Sequence, residues 1–274
     1  MNFHIVYVGW YRGYYYEGYL LLNMEFNNSS FMKGFRLAHD QKRGHGTPMV
    51  KAVFFDLDGT LLNREESIKA FISDQYHRLH TYLHHIPKDL YIGRFIELDA
   101  RGYVWKDKVY KQLIVECNIS GVGWEELLQD YLTHFKYHCV PFPNLQSMLD
   151  QLKMDQLTLG IITNGKGQFQ LDNIRALSIE HYFDCIFVSE LEGLKKPDPR
   201  IFQRALKKFE ILPHEAVFIG DHPENDVKAA QAVGMKAIWK KDDFWKTGHS
   251  TFTIHDLSEI CTLITQMKKH STSL

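Results

Sequence analysis

The stretch Val53-Phe54-Phe55-Asp56-Leu57-Asp58-Gly59-Thr60 sets two carboxylates two residues apart at the exit of an apolar run. Like charges at that spacing repel, and removing them from water unpaired costs on the order of several kcal/mol. A carboxylate can act as a covalent nucleophile toward phosphorus, but this pair first needs something positive beside it. Three further polar groups come after short apolar runs. They are Thr163-Asn164-Gly165, Lys196-Pro197-Asp198-Pro199, and Gly220-Asp221 with Asp226 five residues beyond.

The elements that must position these groups alternate from residue 50 onward. After a first strand, residues 64–139 read as helices only. Segments near 65–85, 88–100, 105–117 and 124–138 carry apolar residues at three-to-four spacing, punctuated by Pro87, Gly102 and Gly121-Val122-Gly123. Residues 157–163, 185–189, 216–219 and 237–239 then read as short buried strands with helices between them. The predicted fold class is α/β: a Rossmann-like parallel sheet core with helices on both faces, plus an inserted all-helical cap domain. The core is expected over 49–63 and 140–274, and the cap over 64–139. Ligands of an open parallel sheet bind beyond the carboxyl ends of the strands. The four polar groups sit at or near such ends and should meet at one edge.

In order and position, DxDGT at Asp56, TNG at Thr163, KP at Lys196 and GD at Asp221 resemble the motif set of the haloacid dehalogenase superfamily of aspartate-nucleophile hydrolases. The resemblance covers residues 49 to about 241. It implies that Asp56 is the nucleophile and Asp58 the general acid and base. Two residues apart on an ideal strand both side chains would share a face, so the Gly59 turn is expected to let Asp58 approach from another direction. The missing positive charge would be Mg²⁺, held by the Asp56 carboxylate, the Asp58 backbone carbonyl and the Asp221 carboxylate, with Asp226 a direct or water-mediated ligand. Thr163, with Asn164 and Gly165, would bind the phosphoryl oxygens. Lys196 would neutralise developing charge, aimed by Pro197.

The implied reaction is Mg²⁺-dependent hydrolysis of a small phosphorylated metabolite through an aspartyl-phosphate. Three other readings use the same fold: a haloacid dehalogenase, a phosphomutase and a non-catalytic binding protein. Dehalogenases of the family need no metal and typically lack the second aspartate, which this chain retains as Asp58. Substrate selection falls to the cap, where Arg94, Arg101, Lys106 and Lys108 flank the Gly102 break.

Other side chains read more plainly. His222 comes directly after Asp221 and is expected to pack rather than react, and Lys166 to be a solvated loop residue beside Gly167. His77, His80 and His84 fall on one predicted helix face with His85 beside them, but no acidic or cysteine partner completes a zinc set. His134 and His138 lack the adjacent glutamate of a metalloprotease helix. Tyr103, Trp105 and Tyr110 read as cap core.

The 274 residues suffice for a core plus an inserted smaller domain. Lys and Arg total 32 against 33 Asp and Glu, a formal charge of −1 that gives no footprint for nucleic acid or an anionic membrane. Cys117, Cys139, Cys185 and Cys261 form no CxxC pair and read as free thiols of a cytoplasmic protein, monomer or homodimer. No apolar run approaches the roughly 20 residues of a membrane span. Residues 1–48 hold tyrosine patches such as Tyr14-Tyr15-Tyr16 without a sustained period of 2 or 3.6. They are expected to be an N-terminal extension outside the core, with Met49 the natural start.

Overall fold

Residues 53–55 are β-prone and apolar throughout, so they can be satisfied only where both faces of a strand are covered. In the computed structural model, which describes residues 6–11, 14–19, 50–246, 250 and 252–269, this run forms the strand Ala52–Phe55. Val53 and Phe55 enter one hydrophobic cluster, Ala52 and Phe54 the other. That alternation comes from the two-residue period of a strand.

The chain divides into two units, 1–46 and 47–274. In the first, β1 (Val6–Tyr11) pairs antiparallel with β2 (Tyr14–Tyr19). The sequence shows no sustained period of 2 there, although both runs are rich in strand-forming tyrosine. The remainder of the expected extension lies outside the described residues.

The second unit is built on a six-stranded parallel sheet in the order β5-β4-β3-β6-β7-β8. Its strands are β3 (Ala52–Phe55), β4 (Thr158–Thr163), β5 (Cys185–Val188), β6 (Ala216–Gly220), β7 (Lys236–Lys240) and β8 (Phe252–Ile254). The first five match the predicted strands; β8, three residues long, carries no readable period. Phe55 pairs with Ile161 on one side and Ile219 on the other. From β3 the chain winds outward through β4 and β5, then returns to β6 and winds the other way. β3 is therefore the switch point, where an open α/β sheet leaves a crevice.

The helices after the insertion are α6 (Leu145–Met154), α7 (Gly167–Ala176), α8 (Ser189–Glu192), α9 (Pro199–Lys208), α10 (Ala229–Ala232) and α11 (Glu259–Lys269). Between β3 and α6 lie α1 (Arg64–Arg78), α2 (His80–Leu83), α3 (Lys88–Asp99), α4 (Lys106–Glu116) and α5 (Trp124–His134). Asn63 starts α1 by accepting the Glu66 N–H at 3.2 Å. Inside this helical stretch Gln75 donates to the Leu127 carbonyl and accepts from the hydroxyls of Tyr91 and Tyr110. The two connections back to the sheet are tied together: Asn63 N–H donates to Val140 O at 2.8 Å and Phe142 N–H to Leu61 O at 3.0 Å.

Two expectations change here. The predicted helix 65–85 breaks at Leu79, so His77, His80 and His84 do not share one continuous helix. Tyr103 and Trp105 are exposed rather than core, while Tyr110 is fully buried. Left-handed backbone at Ala100 and Arg101 resets the helical phase before α4, so residues 103 and 105 miss its inner face.

Candidate active site

Asp56 leaves β3 with its N–H bonded to Ile219 O at 2.9 Å. The chain then turns: the N–H groups of Thr60, Leu61 and Leu62 all donate to Leu57 O, and Gly59 takes a φ of 83°. Glycine is required there twice over. Its φ is left-handed, and a Cβ would lie 2.6 Å from an Asp221 carboxylate oxygen. This close approach brings the β3 turn against the end of β6.

Lys196 stands at the centre of the charges. Its Nζ donates to Asp56 Oδ1 and to Asp226 Oδ1, each at 2.6 Å, and all three residues are buried. The backbone that presents it is clamped to the β4 loop. Asn164 Nδ2 donates to Lys196 O and Lys196 N–H donates to Asn164 Oδ1, both at 2.9 Å. Asp198 then caps α9 by accepting the Arg200 N–H.

One oxygen each from Asp56, Asp221 and Asp226 lies within 4.8 Å of the others. Lys196 reaches two of these acids; Asp221 has the Thr60 hydroxyl at 3.5 Å. The electrostatic consequence is direct. Burial pushes Asp56 up to about 7, against Lys196, which pulls it down, and with Asp226 adding to the rise. Burial, with Asp56 and Asp226 beside it, holds Asp221 well above the usual carboxylate range. Burial lowers Lys196, but Asp226 and Asp56 outweigh it and raise the ammonium above the ordinary lysine value. Three clustered acids against one lysine are short of positive charge. A hard divalent cation with oxygen ligands fits that deficit.

Asp58 sits apart from this cluster, as the turn at Gly59 leads one to expect. Its Oδ2 accepts from Gln170 Nε2 at 2.6 Å. Gln170, buried on α7, also reaches Thr163 Oγ1 at 2.9 Å and Asn164 O at 3.3 Å. Sequence reasoning missed Gln170; only its place in the first turn of α7, after TNG, hinted at it. Lys240 at the end of β7 was also missed. It donates to Gly59 O at 3.1 Å while its Nζ lies 3.3 Å from the centre of the Phe142 ring.

A cavity of about 1060 Å³ opens over this edge, lined by Asp56, Asp58, Asn164, Lys196, Asp221 and Asp226, among others. Thr163, fully buried, and Gly165 are not in the lining: the Thr163 hydroxyl is held by Gln170, and the Gly165 N–H donates to Ser189 Oγ at 2.9 Å. His222 lines the cavity and caps the π-helical segment Pro223–Lys228, its Nδ1 accepting from the N–H groups of Glu224 and Asn225. Of the four cations around the Gly102 break, Arg101 lines the cavity and pairs with Asp242, which lines it too. Lys106 is buried against Asp99. Arg94 pairs with Glu116 on the surface and Lys108 is exposed. Among the described residues no histidine joins a group able to hold a metal. None of the four cysteines is disulfide-bonded, and no described helix is long and apolar enough to cross a membrane.

Comparison with known proteins adds three findings. The family described as haloacid dehalogenase-like hydrolase matches residues 53–240. A glyceraldehyde 3-phosphate phosphatase of Pyrococcus furiosus is 30% identical over 196 residues, 70% of this chain and 81% of that protein. Two solved structures share 27% identity. The phosphatase from Thermococcus onnurineus has a TM-score of 0.56 over 78% of this chain and 97% of its own. A 2-haloacid dehalogenase from Pseudomonas syringae has a TM-score of 0.55 over 80% of this chain and 99% of its own.

Proposed function

Since the chain belongs to the haloacid dehalogenase-like hydrolases, we propose that it is a phosphatase acting on a small phosphorylated metabolite through Asp56. The observation that carries this reading is Asp58, an acid retained beside the nucleophile with one oxygen held at 2.6 Å by Gln170. A carbon–halogen bond leaves as halide and needs no proton; a phosphoester leaves as an alcohol and does. The phosphatases among the relatives support the same choice.

In this mechanism an Asp56 oxygen attacks phosphorus as the ester P–O bond breaks. The departing oxygen takes a proton from Asp58, so the alcohol leaves neutral. Asp58, now ionised, takes a proton from water, whose oxygen attacks the aspartyl-phosphate, releases inorganic phosphate and restores Asp56. Lys196 pulls Asp56 toward its ionised form and orients it, and Asn164 holds the Lys196 backbone. Gln170 fixes the Asp58 carboxyl through Oδ2. A divalent cation, Mg²⁺ in this proposal, would be held by the Asp56 and Asp221 carboxylates and the Asp58 backbone carbonyl, with Asp226 nearby. When bound it would screen the repulsion between nucleophile and phosphate. Of the loop residues expected to bind the phosphoryl oxygens, Asn164 and Lys196 line the cavity, while the Thr163 hydroxyl is held by Gln170 and the Gly165 N–H by Ser189. The helical stretch 64–139 serves as the cap that closes over the leaving group. Four unpaired thiols support a reducing, cytoplasmic setting.

The test is a panel of phosphorylated metabolites assayed with Mg²⁺ for inorganic phosphate, halide and isomerised product. Phosphate release is expected. Halide from a 2-haloacid, or isomerisation of a sugar phosphate without phosphate release, would assign the site to dehalogenase or mutase chemistry instead.

A further inference from the structure

The wall of the cavity on the cap side carries a charge arrangement that the hydrolytic mechanism does not use. Arg64, the first residue of α1, lines the cavity together with Asp58 and Asp99. Its guanidinium meets Asp99 with two contacts, Nη1 to Oδ2 at 2.9 Å and Nη2 to Oδ1 at 3.1 Å. Asp99 also accepts from the buried Lys106. One carboxylate thus serves two cations and cannot neutralise both. Among the described residues Arg64 donates to no other acceptor.

Glu65 and Glu66, which also line the cavity, share the single ammonium of Lys69 at 2.9 and 3.2 Å and do not engage the guanidinium. Asp58 is within electrostatic reach of Arg64, yet its Oδ2 is held by Gln170 at 2.6 Å and it makes no hydrogen bond to the guanidinium. The guanidinium is also held in place. Gly102, at φ 90°, passes so close that a Cβ there would lie 3.0 Å from Arg64 Cζ. The Arg64 side chain is only 17% exposed, so its charge is weakly screened. A planar, permanently charged donor fixed at a cavity wall matches a carboxylate or phosphate.

We propose that Arg64, backed by Asp99 and Lys106, binds an anionic group carried by the leaving moiety, a carboxylate or second phosphate, and so selects phosphoesters that bear one. The proposal rests on the phosphatase reading above and names the substrate class for that site.

The experiment compares 3-phosphoglycerate with glycerol 3-phosphate, which share a three-carbon skeleton and differ in a carboxylate against a hydroxymethyl. Steady-state kinetics on the full chain with Mg²⁺ should show kcat/KM for the carboxylate substrate higher by roughly tenfold or more, the worth of one charged hydrogen-bonded contact. The difference should lie mainly in KM. Arg64→Met should bring the ratio toward unity, and Arg64→Lys should keep part of it. A wild-type ratio near unity, or an equal loss on both substrates in Arg64→Met, overturns the proposal. Calorimetry of the same two compounds binding to Asp56→Asn, with and without Arg64→Met, reads the subsite without turnover. An Arg64-dependent preference there supports the subsite even if the wild type releases no phosphate, which would sink the phosphatase reading alone. No preference there overturns the subsite while phosphate release leaves that reading intact.

Discussion

Asp56 stands between opposing influences: burial drives its proton affinity up while Lys196, at 2.6 Å, drives it down. A group balanced in that way is a functional candidate on physical grounds alone, since structural sites have no need to hold a carboxylate there. Asp56→Asn keeps the volume and an acceptor for Lys196 but removes the nucleophile. Phosphate release should fall below about one hundredth of wild type, as loss of a covalent nucleophile implies. The melting temperature should hold or rise, because one member of a crowded acid cluster has been neutralised. Phosphate assay and thermal unfolding on the same preparation check both; activity near wild type would remove Asp56 from the role.

The elements that matter most for selectivity are the start of α1 and the end of α3, joined by Arg64 and Asp99. Burial pushes Asp99 up, but Arg64 and Lys106 together hold it below its ordinary value of 3.8. Asp99→Asn leaves two cations without their shared acid, a change worth roughly 3–5 kcal/mol of stability at neutral pH. The pH dependence has a definite sign. A carboxyl depressed in the folded state contributes stability that is complete above 3.8 and is lost as pH falls through the depressed value. Urea unfolding of wild type and variant should therefore show a gap that is constant near neutrality and narrows on acidification. A gap that widened as pH fell would contradict the pairing.

At the scale of the whole molecule, the site exists because the strand order reverses at β3. Asp56, Lys196 and the pair Asp221 and Asp226 come from three separate connections, after β3, β5 and β6, and meet only at that crevice. Their charge deficit gives the metal prediction: chelator should abolish phosphate release and added Mg²⁺ restore it. Ca²⁺ should inhibit, since its longer bonds and looser geometry suit a misaligned Asp56. Hydrolysis that persisted in chelator would refute the assignment of the acid cluster. Every proposed catalytic group lies in the unit 47–274, so removing residues 1–48 should leave specific activity unchanged, as a direct comparison of full-length and shortened chains would show.

Much of this was legible in the residues. A buried parallel strand is a short apolar run, and the residue that ends it must stand at the sheet's edge. Local pattern alone therefore determined that Asp56, Thr163 and Asp221 stand at the ends of short strands and that residues 64–139 form helices; which strands are neighbours came only with the sheet. The tertiary structure decided what no local period encodes. Gln170 reaches Asp58 across 112 residues and Arg64 reaches Asp99 across 35, contacts set by how α7 and α3 pack rather than by their own sequences. The left-handed turn at Ala100 and Arg101 left Tyr103 lining the cavity and Trp105 exposed, while Tyr110 entered the core as its spacing implied. Thr163 ends its strand as the motif predicts, yet it does not line the cavity and its hydroxyl is held by Gln170. Order along the chain specifies which residues reach the edge; the direction each one faces is settled by close packing, where a shift of a single side chain redistributes its neighbours' hydrogen bonds.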